Sequence, residues 1–350
     1  MVQAPTLSNL TAARDAYYER LRPRSLAPLW EVLSDIVTPT PRTEAVPAAW
    51  SFSAVRPLLL EAGDLITAAE AERRVLILEN PALAGQARIT QSLYAGLQLV
   101  LPGEVAPAHR HTQNALRLIM DGDSAFTAVH GERAYMHKHD LILTPSWLWH
   151  DHGNETEEPI IWLDGLDIPL VQMLDASFAE HRADRGAWPP TRPAGDAGHR
   201  WGKNLRPART TQTQAEGNPL LIYPFEEWRE TLDVLSRADD PHPHDAHLLE
   251  FTNPADGGAV MSTMSAFARL VPAGFITAPM RSTDGMIHVV IEGRGELTVD
   301  GQAFALSPGE ILVSPSWAER SFRADSDLVL FSYSDRAAQQ KLALWREALL

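Results

Sequence analysis

The sequence contains no cysteine, no long apolar run and no excess of positive charge. Without cysteine the chain forms no disulfide and offers no thiolate, so any metal must be held by nitrogen and oxygen ligands. No stretch approaches the roughly 18 consecutive apolar residues that a membrane-spanning helix needs. The 30 lysine and arginine residues against 45 aspartate and glutamate residues give a net charge of −15, which argues against nucleic acid or an anionic membrane as a partner.

The chain of 350 residues is long enough for two domains, each with its own core. Its first 21 residues lack the basic segment followed by an apolar segment that marks a signal peptide. We therefore expect a cytoplasmic protein. The negative net charge does not exclude a small anionic substrate, because local arginines can reverse the electric field inside a pocket.

Four of the 13 histidines form two pairs, His109 with His111 and His150 with His152. The members of each pair are two residues apart in strand-like surroundings, so they point to the same face of a strand. On antiparallel strands of a small barrel, the four side chains could supply three imidazoles to one metal ion and keep the fourth as a nearby base. The alternative is a set of hydrogen-bonded barrel histidines without metal, which a single pair would favour.

A strand with two different faces is predicted from residue 92 to residue 101. The apolar, packing face consists of Leu93, Ala95, Leu97, Leu99 and Leu101. The other face carries Tyr94, Gly96 and Gln98, and such a mixed face is expected where a strand lines a ligand cavity.

Arg117 is predicted to face the same cavity as the histidines, because it follows His111 by an even number of residues. An inward arginine is costly unless it is paired. It therefore needs a carboxylate-bearing ligand or a buried partner such as Asp164, which shares its strand face with Trp162. An ion pair with a purely structural role is the alternative for Arg117.

Helices are predicted at both ends of the chain. Residues 1–40 are predicted to be helical, with an apolar stripe at helix spacing, and residues 53–61 form another short helix. Residues 73–79 are predicted to form the first strand. Residues 335–350 are predicted to form a C-terminal helix.

Residues 176–255 are interpreted as a connecting segment, because much of it is rich in proline, glycine and arginine and weak in periodicity. It contains a histidine-rich tract with His242, His244 and His247. Two prolines and flanking acidic residues indicate a loop there, and we expect no metal role for it.

The second half of the chain repeats the first at an offset of about 170 residues. Pro145-Ser-Trp147 is matched by Pro315-Ser-Trp317, and Asp121-Gly122 by Glu292-Gly293. A duplication that produces two similar barrels explains this repeat.

The same offset indicates which barrel binds metal. The counterparts of His109, His111, His150 and His152 are Pro279, Arg281, Arg320 and Phe322, and those of Tyr94, Gly96 and Gln98 are Met264, Ala266 and Ala268. An extra residue near Arg281 permits a shift of one, but no histidine is recovered either way. The second barrel is therefore predicted to be a metal-free structural copy, with the lone His288 in its core or at an edge.

Two motifs carry a resemblance to a known family. The patterns G-x5-H-x-H, from Gly103 to His111, and P-x4-H-x3-N, from Pro145 to Asn154, resemble the two motifs of the cupin superfamily. Ordinary cupins place a glutamate ligand shortly after the first histidine pair, whereas this chain has Ala115 and Leu116 there. That loss, together with the strings LYAGLQLVLPGEVAPAHRHTQ and WLWHDHGN, resembles the gentisate 1,2-dioxygenase family of ring-cleaving iron enzymes.

The resemblance implies an all-β fold, a bicupin of two double-stranded β-helix (jelly-roll) barrels with N-terminal helices and a C-terminal helix. The expected arrangement is an N-terminal helical segment with the first strand (1–85), a metal-binding, catalytic cupin (86–175), a connecting segment (176–255), a metal-free second cupin (256–334) and a C-terminal helix (335–350).

The resemblance also implies Fe(II) held by His109, His111 and His150, although geometry alone would fit Zn(II) or Mn(II) as well. The implied reaction is cleavage of gentisate, 2,5-dihydroxybenzoate, by O2 between the carboxyl-bearing carbon and the adjacent hydroxyl-bearing carbon, which gives maleylpyruvate. The other implied site residues are Arg73, Gln98 and Arg117 to hold the substrate, His152 as the acid–base group, Asp164 to orient a neighbouring side chain, and Tyr94 and Gly96 to line the ring pocket.

Alternatives remain for the substrate and for the class of protein. Salicylate and 1-hydroxy-2-naphthoate dioxygenases belong to the same family, and a cupin that only binds a ligand is the second alternative. Tyr94 favours gentisate, because the salicylate enzyme has tryptophan there, whereas Gly96 predicts relaxed specificity. Since family members are usually homotetramers, we expect a homotetramer.

Overall fold

The computed structural model describes residues 7–184, 186–203, 205–209 and 217–350. The chain forms two compact units, Met1–Arg42 and Thr43–Leu350. In the described part of the chain, no helix is both long enough and apolar enough to cross a membrane.

The first unit is helical, as predicted. Helix α1 (Leu7–Leu21) is followed by a short 3-10 helix (Arg22–Arg24) and by helix α2 (Leu29–Ile36). The Trp30 indole donates a hydrogen bond of 2.8 Å to the Tyr18 hydroxyl, which ties α2 to α1. Several large apolar side chains of α2 are exposed.

The second unit consists mainly of strands. The strands in its first part are β1 (Ala48–Ser51), β2 (Arg74–Ile77), β3 (Tyr94–Val100), β4 (Val105–His111), β5 (Ala115–Asp121), β6 (Ala125–Val129), β7 (Glu132–Met136), β8 (Leu141–Thr144), β9 (His150–Gly153), β10 (Ile160–Leu166) and β11 (Ala179–His181). Those that follow are β12 (Ile222–Tyr223), β13 (His247–Glu250), β14 (Ser265–Val271), β15 (Met280–Ser282), β16 (Met286–Glu292), β17 (Gly295–Val299), β18 (Gln302–Leu306), β19 (Glu310–Ser314), β20 (Arg320–Ala324), β21 (Leu328–Ser334) and β22 (Glu347–Leu349). Its helices are α3 (Phe52–Leu65), α4 (Ala68–Ala71), a 3-10 helix (Pro81–Leu83), α5 (Ile168–Met173), α6 (Asp196–Trp201), α7 (Phe225–Ala238) and α8 (Arg336–Lys341).

The strands form four sheets, two for each half of the unit. In the first half the sheet orders are β12-β8-β5-β10-β3-β2 and β11-β4-β9-β6-β7. In the second half they are β1-β19-β16-β21-β14-β13 and β18-β17-β20-β15-β22. The predicted β-rich fold of two related halves is confirmed, although each half consists of two open sheets and not of one closed barrel in the described residues.

Strand β1 was not predicted. It lies in the N-terminal segment but pairs with β19 of the second half, with Trp50 opposite Ile311. The strand has only four residues, so its sequence offers too short a pattern for a period to be recognised.

The connecting segment also contains strands that complete the sheets. Strand β11 pairs with β4, β12 with β8, and β13 with β14. Each adds to a sheet edge through backbone hydrogen bonds. Edge pairing of this kind depends on an open neighbouring strand and not on a strong local sequence pattern.

The predicted C-terminal helix is wrong in its length. Helix α8 ends at Lys341, and Ala343 takes a left-handed conformation with φ of 59°. The chain then forms β22, whose Glu347 lies opposite Ser282 on β15. Backbone pairing with the free edge of β15 therefore determines the structure of the last residues, although their apolar side chains follow the spacing of a helix.

The alternation predicted for β3 is confirmed. The buried side chains of its packing face are at most 2% exposed and belong to a core that continues into the second half, where it includes Val289 and Phe331. The members of this face in the core are Leu93, Ala95, Leu97 and Leu99. Because one core serves both halves, each half stabilises the other by burying its apolar surface.

Strand pairing corrects the predicted alignment of the two halves. In the first half His109 lies opposite His150. In the second half Met280 lies opposite Arg320. The residues equivalent to the three predicted ligands are therefore Met280, Ser282 and Arg320, instead of Pro279, Arg281 and Arg320.

The alignment also shifts by one residue on the strand equivalent to β3. Gln98 lies opposite Trp162, and in the second half Arg269 lies opposite Leu330. The counterpart of Gln98 is thus Arg269, and not Ala268. The counterparts of Tyr94 and Gly96 are likewise Ser265 and Phe267, so this face is more polar than predicted.

His288 is a core residue of the second half, as predicted. It is fully buried, and its two ring nitrogens lie 2.9 and 3.1 Å from the Ser332 and Ser314 hydroxyl oxygens. Both of its nitrogens thus have partners from the neighbouring strands.

We expect stability to fall between about pH 4 and pH 6 because of Asp335. This carboxylate is 7% exposed, and burial raises its pKa to about 6. The unfolded chain loses this proton near pH 4, so the folded state is favoured below that pH and loses this advantage as the pH rises through 6. The loss should be on the order of 2 kcal/mol. Urea unfolding at several pH values checks this, and an Asp335→Asn variant that shows the same slope would contradict it.

Candidate active site

The two histidine pairs come together because β4 and β9 are neighbours in one sheet. His109 and His150 lie directly opposite each other. Their ring centroids are 4.1 Å apart, and the His111 ring lies 4.8 Å from His150 and 5.3 Å from His109. The structure therefore brings the three predicted ligands to one point.

Two of the three imidazoles are oriented by the backbone. The Nδ1 atoms of His111 and His150 lie 2.9 and 2.8 Å from the carbonyl oxygens of Gln113 and Leu148, to which they donate. This fixes the tautomer and leaves the Nε2 lone pair free for a metal. The Nε2 atom of His150 is buried and has no hydrogen-bond partner, which is costly unless a ligand satisfies it.

The ligand atoms of His109, His111 and His150 all lie within 4.8 Å of one another. In the described residues this is the only group of three or more histidine, cysteine, aspartate or glutamate side chains that could hold a metal ion. Three nitrogen ligands with the remaining positions open suit a catalytic transition metal. The residues therefore fit a metal centre.

The electrostatics of the site keep the histidines neutral. Burial lowers the pKa of His109 to about 2 and that of His111 to about 4, and it lowers the pKa of His150 and His152 well below the usual range. Metal ligation requires neutral imidazole. His109, His111 and His150 are thus already neutral at pH 7 and need not lose a proton to bind a metal.

Arg73, just before β2, lies against the metal-binding group. Its Nη2 atom is 2.6 Å from Nδ1 and 3.0 Å from Nε2 of His109. Burial lowers the pKa of Arg73 to about 10, so its guanidinium stays charged at neutral pH. A metal held by His109 would replace this contact and leave the guanidinium available to an anionic group.

His152 lies beside the three ligands and is fully buried. Its ring centroid is 5.7 Å from that of His150. Nδ1 lies 2.9 Å from the Thr127 hydroxyl, and Nε2 has no partner. The residue is therefore held on one side and has a free ring nitrogen on the other.

Arg117 and Asp164 form the ion pair that the sequence suggested. They lie opposite each other on β5 and β10, with 3.1 Å between Nε and Oδ1, and both side chains are nearly inaccessible to solvent. The Arg117 guanidinium also donates to the Thr144 hydroxyl. Burial raises the pKa of Asp164, and the positive charge of Arg117 opposes that rise.

Gln98, Gly96 and Tyr94 lie on β3, next to β10. Gly96 is opposite Asp164, and Gln98 is buried opposite Trp162. A Cβ atom on Gly96 would lie only 2.6 Å from the Tyr94 hydroxyl and 2.6 Å from a Val75 methyl group. The space above Gly96 is thus already filled by its own neighbours.

Several residues near the site escaped the sequence analysis. His181 on β11 lies opposite His109, with 6.0 Å between ring centroids. Tyr333 of the second half is fully buried and donates a 3.1 Å hydrogen bond to the Tyr94 carbonyl oxygen. Thr127 and the Thr144 hydroxyl contact His152 and Arg117. No local sequence pattern marks these residues, because strand pairing or packing between the two halves brings each of them to the site.

The tract with His242, His244 and His247 belongs to the second half of the unit, where β13 pairs with β14. His244 Nδ1 is 3.0 Å from the Pro279 carbonyl oxygen, and His247 is buried on β13. The expectation that the tract has no metal role stays a prediction.

Comparison with known proteins agrees with this fold and site. Residues 96–166 and 267–332 each match the cupin domain family. Over 339 residues the chain is 48% identical to gentisate 1,2-dioxygenase 1 of Aquipseudomonas alcaligenes, and the match covers 97% of each chain. The chain belongs to the gentisate 1,2-dioxygenase family. Members of this family are ring-cleaving dioxygenases, and a purely ligand-binding cupin is not supported.

Membership of the gentisate 1,2-dioxygenase family leaves the substrate open. The 5-aminosalicylate 1,2-dioxygenase of a Comamonas species is 37% identical, over 95% of this chain and 89% of the relative. A crystal structure of salicylate 1,2-dioxygenase from Pseudoaminobacter salicylatoxidans, an adduct with gentisate, matches with a TM-score of 0.91 and 32% identity, over 99% of this chain and 96% of the other. Relatives with different substrates thus share the fold.

Proposed function

We propose that the protein is a gentisate 1,2-dioxygenase that uses Fe(II) and O2 to open the ring of 2,5-dihydroxybenzoate and form maleylpyruvate. The observation that supports this best is a group of three neutral imidazoles with the Arg73 guanidinium in contact with His109 and the Arg117 guanidinium near enough to lower the pKa of His111 and His150. An anionic hydroxy acid suits such a site, because neutral ligands leave the charge of the metal uncompensated and arginine binds carboxylates through two parallel hydrogen bonds.

His109, His111 and His150 would hold Fe(II) in this proposal. When bound, the iron would bring the aromatic acid and O2 together and allow electron density to pass from the ring to the oxygen. The choice of iron over zinc or manganese rests on the family resemblance, because the three nitrogen ligands suit all three metals.

The remaining residues bind and orient the substrate or move a proton. Arg73 and Arg117 hold the carboxylate, and Gln98 contributes an amide from β3. Asp164 keeps the Arg117 guanidinium in place through their ion pair. His152 begins each cycle neutral because burial lowers its pKa, so its free Nε2 accepts a proton from the substrate and later returns it. Tyr94 and Gly96 line the ring.

Oxygen consumption tests the proposal. Protein purified without oxygen and loaded with Fe(II) should consume O2 fastest with gentisate, with salicylate, 5-aminosalicylate and 1-hydroxy-2-naphthoate as parallel substrates. Faster uptake with one of these three would favour the alternative substrate. No uptake with any of the four, despite stoichiometric iron, would overturn the proposal.

Gly96→Ala should lower kcat/KM for gentisate by on the order of 10- to 100-fold, the scale expected for a misplaced group in a site. The added methyl group meets the Tyr94 hydroxyl and Val75 at 2.6 Å, so Tyr94 and Val75 must shift and the ring pocket changes shape. Steady-state kinetics on the iron-loaded variant measures this. Gly198→Ala is the control, because nothing lies within 4 Å of its added methyl group. Unchanged kinetics in Gly96→Ala would contradict the assignment of the ring pocket.

We also propose a homotetramer. Its support is the family resemblance and the exposed apolar surface of α2, where Leu29, Leu33 and Ile36 are 53%, 47% and 64% exposed. Exposed apolar surface of this kind favours association. Sedimentation equilibrium measures the state, and a monomer at micromolar concentration would contradict it.

A further inference from the structure

The contact between the two cupins contains two buried aspartates at equivalent positions. Asp167 precedes α5 and Asp335 precedes α8, as their N-cap residues. Each accepts a backbone hydrogen bond from a turn of its own cupin, Asp167 from Asn114 at 2.9 Å and Asp335 from Gly285 at 3.0 Å. Both carboxylates are at most 7% exposed.

Each aspartate also accepts a hydrogen bond from a hydroxyl group of the other cupin. Thr263, just before β14, donates to Asp167. In the reciprocal contact Ser92, just before β3, donates to Asp335 at 2.7 Å. The two contacts are related by the internal repeat, so each cupin holds one turn of the other in the same way.

The two contacts differ in one respect. In the first cupin the turn residue is Asn114, whose side chain extends the network, whereas its counterpart Gly285 has no side chain. The Asn114 amide nitrogen lies 3.2 Å from Asp167, 3.0 Å from the Thr263 hydroxyl and 3.1 Å from the Ser262 hydroxyl. Its carbonyl oxygen accepts the Ser146 backbone N–H at 3.0 Å.

These bonds reach both segments that carry metal ligands. Asn114 follows His111 by three residues. Ser146 begins the segment that leads to His150, and its hydroxyl donates to the Thr112 carbonyl oxygen at 2.7 Å. The Trp147 backbone N–H donates to the His111 carbonyl oxygen at 2.8 Å. Asn114 therefore links the His111 segment to the His150 segment. Its own amide group is hydrogen-bonded to Ser262 and Thr263 of the second cupin.

We propose that Thr263 of the second cupin is a positioning residue for the metal centre of the first, acting through Asp167 and Asn114. The second cupin, which has Met280, Ser282 and Arg320 at the ligand positions, thereby contributes to metal binding without touching the metal. The inference rests on the metal centre of the proposed function but not on the identity of the substrate. Groups that orient metal ligands from outside the ligand set typically change metal affinity by about 10- to 100-fold.

The test compares Thr263→Val with Ser92→Ala. Each change removes the hydroxyl of one of the two repeat-related contacts, but only the first contact reaches the ligand segments. Co(II) and Fe(II) affinities are measured by titration of metal-free full-length protein under anaerobic conditions, and melting temperatures of the metal-free variants are measured alongside. Both variants should lose about 2–4 °C in melting temperature. Only Thr263→Val should also bind metal about 10- to 100-fold more weakly, with a changed visible spectrum of bound Co(II).

Two further variants keep the test decisive. Thr263→Ser retains the hydroxyl and should restore metal affinity. Asn114→Gly gives the first cupin the residue of the second and should weaken metal binding even if Thr263→Val does not fold. Equal metal affinity in Thr263→Val and the unaltered protein, or equal weakening in Ser92→Ala, would overturn the inference. Strong metal binding without ring cleavage would overturn only the proposed function, and a protein that binds no divalent metal would overturn both.

Discussion

His150→Ala is expected to abolish metal binding and with it the consumption of O2. His150 is the centre of the ligand group, since its ring lies 4.1 Å from His109 and 4.8 Å from His111. It is also the ligand whose Nε2 is buried without a partner. A buried ring nitrogen without a partner costs free energy unless a metal or another group satisfies it. The substitution of His150 therefore removes a nitrogen atom that a bound metal would satisfy.

The loss should exceed the roughly 10- to 100-fold that follows when a residue outside the ligand set is removed. Metal content by mass spectrometry of the anaerobically loaded protein measures binding, and oxygen uptake with gentisate measures turnover. His181→Ala is the matched control, because His181 is an exposed neighbour of His109 and lies outside the group of three. The His181→Ala protein should still bind metal. One equivalent of tightly bound metal in His150→Ala would show that the ligand assignment is wrong.

Arg117→Met should unfold more easily than the unaltered protein by about 3–5 kcal/mol, the usual result of removing one partner of a buried ion pair. The change leaves Asp164 buried opposite an apolar side chain. Burial already raises the pKa of Asp164, and Arg117 is the main opposing influence. Without that positive charge the pKa rises further.

The sign of the pH dependence follows from this shift. A buried carboxyl whose pKa is raised stabilises the folded state at low pH, and this contribution is lost as the pH rises through the folded-state pKa. The instability of Arg117→Met should therefore be larger at pH 8 than at pH 5. Urea unfolding of the metal-free protein at both pH values measures it.

The double variant Arg117→Met, Asp164→Leu separates stability from catalysis. Replacement of a buried ion pair by apolar residues of similar size is often neutral or stabilising, so the double variant should regain much of the lost stability. Oxygen uptake should remain low in both variants, because neither has the guanidinium that is proposed to bind the substrate carboxylate. Restored uptake in the double variant would indicate that Arg117 serves only the fold.

The grouping of the two histidine pairs was predictable because the side-chain period of a strand is two, whereas the choice of His109, His111 and His150 as ligands came from the family resemblance. His109 and His111 lie on one face of β4, and the repeat showed that no histidine occupies the equivalent positions of the second half. The ion pair of Arg117 with Asp164 followed from the same period and from the cost of an unpaired inward arginine.

The alignment of the two halves was predictable only to within one residue. A one-residue shift moves every side chain of a strand to the other face, so Gln98 was matched with an apolar alanine where the structure has Arg269. Backbone pairing with β21 decides this register. The offset between the repeats does not.

Short edge strands and contacts between distant segments were decided by the tertiary structure alone. Strands β1, β11 and β22 have four, three and three residues, too few for a period, and each forms because an open sheet edge satisfies its backbone groups. His181, Tyr333 and Thr263 approach the site by this route or across the shared core.

The sequence by itself thus determined the class of fold, the two histidine pairs that face one site and the polar partners that share their strand faces, because alternation along a strand is local. The tertiary structure decided which strands are neighbours, which residue of the second half faces which residue of the first, and how the second cupin contacts the ligand segments. Those relations depend on backbone pairing and packing between residues as far apart as Asn114 and Thr263, where no local pattern exists.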